Sequence, residues 1–323
     1  MNNIEIKWQR NYYAPTIDLK ISAHRRDLIP FLRNAATERI TGISYPRKIF
    51  SDGTYIWVLG ATNIYRIDPQ TNGIDYSYIG GTTRFAYDGK RIWVTQHSSK
   101  RIIIIDKNTL LTEDIIDTTP NRPVDIVFVG DSMWVSTRNP YELRVYHLNL
   151  NLRHTTEGLA TDVLAFDGKY IYASDHSSSK IIKIRTYSRT IEAEIDVYGT
   201  NLVCNRGNLY LTYFGGSKLG HINPETNTIE EDLDISPDRI FTFCFDINGY
   251  IWLTTYFTKA LFKYAHRPLE TTPRMQLIEQ FGIGGRCYGL TFDGTHIWAT
   301  TFYNHTVYKI PAFDLSFHWS PPY

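Results

Sequence analysis

Asp88-Gly89-Lys90-Arg91-Ile92-Trp93-Val94 is a tight turn followed by an apolar run centred on an aromatic residue. The same pattern occurs earlier at Asp52-Gly53-Thr54-Tyr55-Ile56-Trp57-Val58 and later at Gly130-Asp131-Ser132-Met133-Trp134-Val135. It returns at Asp167-Gly168-Lys169-Tyr170-Ile171-Tyr172-Ala173, Asn205-Arg206-Gly207-Asn208-Leu209-Tyr210-Leu211, Asn248-Gly249-Tyr250-Ile251-Trp252-Leu253 and Asp293-Gly294-Thr295-His296-Ile297-Trp298-Ala299. The aromatics at 57, 93, 134, 172, 210, 252 and 298 are 36, 41, 38, 38, 42 and 46 residues apart. That period suits one small four-stranded sheet per copy. Asp-Gly is a favoured hairpin pair, because Gly adopts positive φ freely and Asp tolerates the left-handed region.

The run after each turn is apolar at consecutive positions, as expected of a strand covered on both faces. Further apolar runs follow, such as Arg101-Ile102-Ile103-Ile104-Ile105 and Lys180-Ile181-Ile182-Lys183-Ile184. A second hairpin signature, a turn opened by an Asx residue, closes such runs at Asp68, Asp106 and Asn223. Last come stretches that alternate apolar with acidic, such as Ile191-Glu192-Ala193-Glu194-Ile195, in the manner of a half-exposed edge. Seven copies of this unit predict an all-β chain, a seven-bladed β-propeller with four-stranded antiparallel blades over residues 43–323, preceded by an N-terminal arm, residues 1–42.

The repeat resembles the YVTN, NHL and streptogramin-lyase-like group of propellers over residues 43–319. The resemblance implies the fold rather than an activity, because such propellers include enzymes, peptide- or sugar-binding modules and scaffolds. A streptogramin-lyase-like activity would imply a Glu-x-His pair with further acidic and His groups converging on Mg²⁺. No Glu-x-His occurs in the sequence, and the family's Glu after the second strand is replaced by Gln96, Tyr256 or Thr301. Neither a Gly-rich phosphate loop nor Gly-x-Ser-x-Gly is present.

In the arm, Ile17-Asp18-Leu19-Lys20-Ile21 reads as a strand and Asp27 to Ile40 as an amphipathic helix. Leu28, Leu32, Ala36 and Ile40 line its apolar side, which either caps the propeller rim or docks to a partner protein. The last blade has three clear strands ending near Ile310, so its outer strand is expected from Leu315–Trp319 or from Ile17–Ile21.

The 323 residues are 42% apolar and 21% charged, enough for a packed core, and the net charge of +1 gives no global field for nucleic acid or an anionic membrane. Cys204, Cys244 and Cys287 are far apart, without metal-ligand spacing, and read as buried thiols. No metal or cofactor is expected. No stretch has the length of a membrane span, and Met1–Trp8 lacks the apolar core of a signal peptide, so the expected setting is the cytoplasm or a virus particle.

Arg122, Arg239 and Arg286 fall 12 or 13 residues before their aromatics, with Arg47 and Arg84 slightly later, which places all five near the channel mouth as a candidate anion site. Asp125, Asp162 and Asp238 are their expected partners otherwise. The turns between the second and third strands, Gln96-His97-Ser98-Ser99-Lys100 and Asp175-His176-Ser177-Ser178-Ser179-Lys180, are near-duplicates, so their histidines read as polar turn residues. The expected function is a non-enzymatic interaction or structural module in a larger assembly, such as a phage tail, nozzle or receptor-binding component. The alternatives are a channel-mouth ligand-binding or lyase-like enzyme, and a carbohydrate-binding propeller using the aromatics at 256, 257, 302 and 303.

Overall fold

Each aromatic-centred run forms the second strand of a blade, and Ile56–Leu59 is buried at every position because sheets cover both of its faces. The computed structural model describes residues 37–234, 238–266 and 275–312. These residues form seven four-stranded antiparallel sheets, six of them built from four consecutive strands. The chain is a seven-bladed β-propeller. In the first blade the inner, second, third and outer strands are Lys48–Ser51, Ile56–Leu59, Asn63–Ile67 and Ile74–Tyr78. The core lies between blades, where Trp57, Trp93, Trp134, Trp252 and Trp298 are almost wholly buried.

The Asp of the first turn does more than permit a hairpin. Its Gly takes positive φ, at 87° for Gly53 and 94° for Gly89, whereas the Asp does not. In the second blade Asp88 accepts hydrogen bonds from the amides of Lys90 and Arg91 and from Trp93 Nε1, the last at 2.8 Å. The same aromatic contact recurs at Asp52 to Trp57 (3.0 Å), Asp246 to Trp252 (2.9 Å), Asp293 to Trp298 (2.6 Å) and Asp167 to the Tyr172 hydroxyl (2.9 Å). A buried indole N–H needs an acceptor, and the turn supplies it.

Opposite four of these aromatics, on the third strand, stands a cation: Arg66, Lys183, Lys263 and Lys309. Three of them reach into the next blade. Arg66 donates to the carbonyls of Lys107 and Asn108, Lys183 to that of Pro224, and Lys263 to that of Ala312. Lys183 also lies 4.2 Å from the Tyr170 ring centre. These cross-blade bonds tie neighbouring sheets together beyond their apolar contact.

Closure corrects the sequence reading. The outer strand of the last blade is Glu38–Ile40, which pairs antiparallel with Thr306–Pro311 in the register Glu38 to Lys309 and Ile40 to Val307. Ile40 is thus a strand residue buried against Val307 and Ile49, and not the end of a helix free to meet a partner. A three-residue strand offers no periodicity, which is why the helical pattern ran over it. Glu38 fixes the closure by an ion pair with Lys309 at 2.8 Å, and it accepts a hydrogen bond from Asn72 of the first blade. Leu28, Leu32, Ala36, Ile17–Ile21 and Leu315–Trp319 lie outside the described residues.

Candidate binding face

Antiparallel alternation puts the turns between second and third strands, together with the blade-to-blade connections, on one face of the disc. Inner strands start on that face. Arg84 and Arg122 are the first residues of theirs, and Arg47, Arg239 and Arg286 immediately precede Lys48, Ile240 and Cys287, the first residues of theirs. The five arginines therefore lie at the same end of their inner strands, on one face of the disc.

Arg47 and Arg84 are brought together. With Lys48, Thr82, Thr83, His97, Ser98, Phe241 and Tyr288 they wall a cavity of about 420 Å³. Arg84 bonds the Thr83 carbonyl at 3.3 Å and stands 3.6 Å from Asp125. Asp125 is committed elsewhere as well, accepting from the Leu164 amide of the fourth blade at 2.8 Å. Among the described residues no carboxylate lies within ion-pair distance of Arg47 or Lys48. The Arg84 charge, followed by burial, pushes the Lys48 amine down to about 7, against the pull of Asp125 and Cys287. His97 is also held below its usual value, first by burial and then by Arg122 and Arg138.

Beside the cavity runs a crescent of rings from the sixth blade through the seventh to the first. Tyr256 meets Phe241 at 6.1 Å between ring centres, Phe241 meets Tyr288 at 4.8 Å, Tyr288 meets Phe302 at 5.0 Å and Phe302 meets Tyr45 at 5.0 Å. Phe257 and Tyr303 pack edge-on against this row and stand out of it, 64% and 58% exposed. Arginines cover two of the rings. Arg286 lies 4.0 Å from the centre of Tyr256 and donates to its hydroxyl, and Arg47 lies 5.1 Å from the centre of Phe302. Phe214, in the fifth blade's equivalent turn, is 84% exposed, and Arg239 is exposed beside Gly215.

Further round the same face, Asp162 gathers Arg138, His176 Nδ1 (3.1 Å) and the Tyr198 hydroxyl (3.1 Å). Burial, reinforced by the Asp162 charge, pushes the Tyr198 phenol up to about 12. The duplicated turns thus serve two ends: His97 enters the cavity, whereas His176 joins a polar cluster. Asp175, before it, ends the second strand and accepts from the Ser177 and Ser178 hydroxyls of the turn. Burial pushes the Cys287 thiol up to about 12, and Cys204 and Cys244 are half-buried on inner strands. Among the described residues no group of three or more His, Cys, Asp or Glu side chains is arranged to hold a metal ion, and no helix is long and apolar enough to cross a membrane.

Lys48, Phe241 and Tyr288 were not singled out from the sequence. A signal existed for the two rings: each follows its arginine by two residues, as Arg239-Ile240-Phe241 and Arg286-Cys287-Tyr288.

No protein-family profile matches the chain, and no curated protein matches it. Solved structures do. A chain of the mitotic checkpoint complex superposes with a TM-score of 0.74 at 11% identity, covering 92% of this chain and 98% of that one. The Cps50 (Swd1) β-propeller domain of Myceliophteria thermophila gives 0.69 at 10% identity, covering 86% and 100%. Streptogramin B lyase gives 0.69 at 16%, covering 84% and 96%. At such identities the likeness is one of fold, and the site has to be read from its own residues.

Proposed function

We propose that this chain is a non-enzymatic interaction module, a rigid disc that binds a partner protein through the face carrying the aromatic crescent. The observation that carries this reading is the continuous row of rings from Tyr256 to Tyr45, with Phe257 and Tyr303 projecting and Arg286 and Arg47 stacked on it. Tyr, Phe and Arg are the residues enriched where protein surfaces meet, and rings held by other rings lose little freedom on binding. The propellers it resembles in fold include a component of the mitotic checkpoint complex, which is in keeping with a role inside an assembly. A phage or virus particle, with the chain as tail, nozzle or receptor-binding component, is one such assembly.

The test is the native mass of the species that carries the chain, measured by mass photometry after gentle purification, beside the double variant Phe257→Asp with Tyr303→Asp. The expected result is a stoichiometric complex well above the 37.5 kDa of one chain, reduced to the free chain by the double variant with its circular dichroism unchanged. A wild-type chain that runs free at 37.5 kDa overturns the reading.

A further inference from the structure

The cavity beside the crescent gathers three cations and a histidine, all from the first two blades, and among the described residues no carboxylate comes within ion-pair distance of Arg47 or Lys48. Like charges are seldom held together in a walled space without a counter-charge, because their repulsion and desolvation both oppose it. We propose that the cavity walled by Arg47, Lys48, Arg84 and His97 is a built oxyanion site that takes a carboxylate or phosphate group.

The geometry suits that ligand. Arg84 is aimed by the Thr83 carbonyl and by Asp125 at 3.6 Å, so its guanidinium keeps further donors for a bound oxygen. Thr82, Thr83 and Ser98 add hydroxyls to the wall, though the Thr82 hydroxyl is already bonded to the Gly60 carbonyl and that of Thr83 receives the His97 amide. Phe241 and Tyr288 close the other side and belong to the crescent itself, so a group entering the cavity touches whatever covers those rings. For the source of the anion, and only for that, the inference rests on the interaction reading: a partner seated on the crescent presents an acidic side chain or its C-terminal carboxylate, whereas without a partner a free anion fills the site.

Proton linkage follows. The titratable and charged groups around Lys48 are Arg47, Arg84, His97, Tyr288, Cys287 and Asp125, and Asp125 supplies the carboxylate among them. An anion in the cavity adds the missing negative charge, so it raises the lysine's affinity for its proton and binds more tightly as pH falls toward 6.

The experiment is a pH titration of the full chain labelled with ¹³C at lysine Cε, in a buffer poor in oxyanions, then with inorganic phosphate added. Lys48 is expected to titrate below every other assigned lysine, and phosphate is expected to raise its midpoint by about one unit or more. Arg84→Met is expected to weaken phosphate binding at least about tenfold. Because the wild-type titration decides the matter alone, poor folding of that variant does not blur it. A Lys48 resonance unmoved by phosphate up to about 100 mM overturns the site. In the native complex, a Lys48 midpoint already raised and indifferent to phosphate assigns the anion to the partner, and one still responsive assigns it to a free ion. Should the chain prove a free monomer, the interaction reading falls while the phosphate titration still decides the cavity.

Discussion

Asp88 carries three hydrogen bonds and an ion pair to Arg91 on a side chain that is 1% exposed. Replacing it by Ala leaves the Trp93 indole N–H, buried between two blades, without an acceptor, and an unsatisfied buried donor costs its full desolvation. Asp88→Ala is therefore expected to lose about 2–4 kcal/mol in urea unfolding. Asp68, which caps an exposed turn by accepting from the Gln70 and Thr71 amides, is expected to tolerate Ala with a much smaller loss, since water replaces it. The sequence made both residues legible as turn formers, but only the fold shows that one of them also holds an aromatic five positions on. Lys48 gives a residue-level prediction with a sign. Its folded value near 7 lies below the ordinary 10.5, so the unfolded chain binds the extra proton between those limits and stability rises with pH across that window. Lys48→Met is expected to remove that rise and, below pH 7 in oxyanion-poor buffer, to stabilise the fold, as read from paired unfolding curves at several pH values. Equal pH slopes in the two proteins would refute the assignment.

Among the elements, Glu38–Ile40 matters out of proportion to its length, because a ring of sheets is stable only when its last sheet is complete. Ile40 is 5% exposed against Val307, and Glu38 bridges to Lys309 in its own blade and Asn72 in the first. A chain beginning at residue 43, the boundary drawn from the repeat, lacks this strand, whereas one beginning at residue 37 keeps it. The longer chain is expected to melt clearly higher, and Ile40→Asp in the full chain to cost about 2–4 kcal/mol. Similar melting of the two truncated chains would show that closure does not depend on this strand. The contrast explains what the sequence could convey about elements. Six blades are contiguous, so turn chemistry and apolar runs locate them. The seventh draws its edge from some 270 positions away, Arg39 opposite Tyr308, and no local pattern records a pairing of that separation.

At the scale of the whole molecule, the net charge of +1 hides an uneven distribution: Arg47, Lys48, Arg84, Arg122, Arg239 and Arg286 all lie at or immediately before the starts of inner strands, on one face. The similar offsets of the five arginines from their aromatics were legible in the sequence. Their grouping was not, because the cavity joins residues 47 to 98 with 241 and 288, and only the circular order of blades makes those neighbours. Such a face separates two contributions to binding. The cations act at long range and steer an acidic partner, so they govern the association rate and are screened over about 8 Å at physiological ionic strength. The rings act at contact and govern dissociation. With the partner recovered from the native complex, raising salt from about 50 to 500 mM is expected to slow association by roughly tenfold or more and to change dissociation little. Arg84→Met with Arg47→Met is expected to flatten that salt dependence, and Phe257→Asp to speed dissociation while leaving it in place, both read by surface plasmon resonance. If the arginine variants leave the salt dependence of association unchanged, the partner approaches from elsewhere on the disc, since these charges contribute to any encounter on their own face.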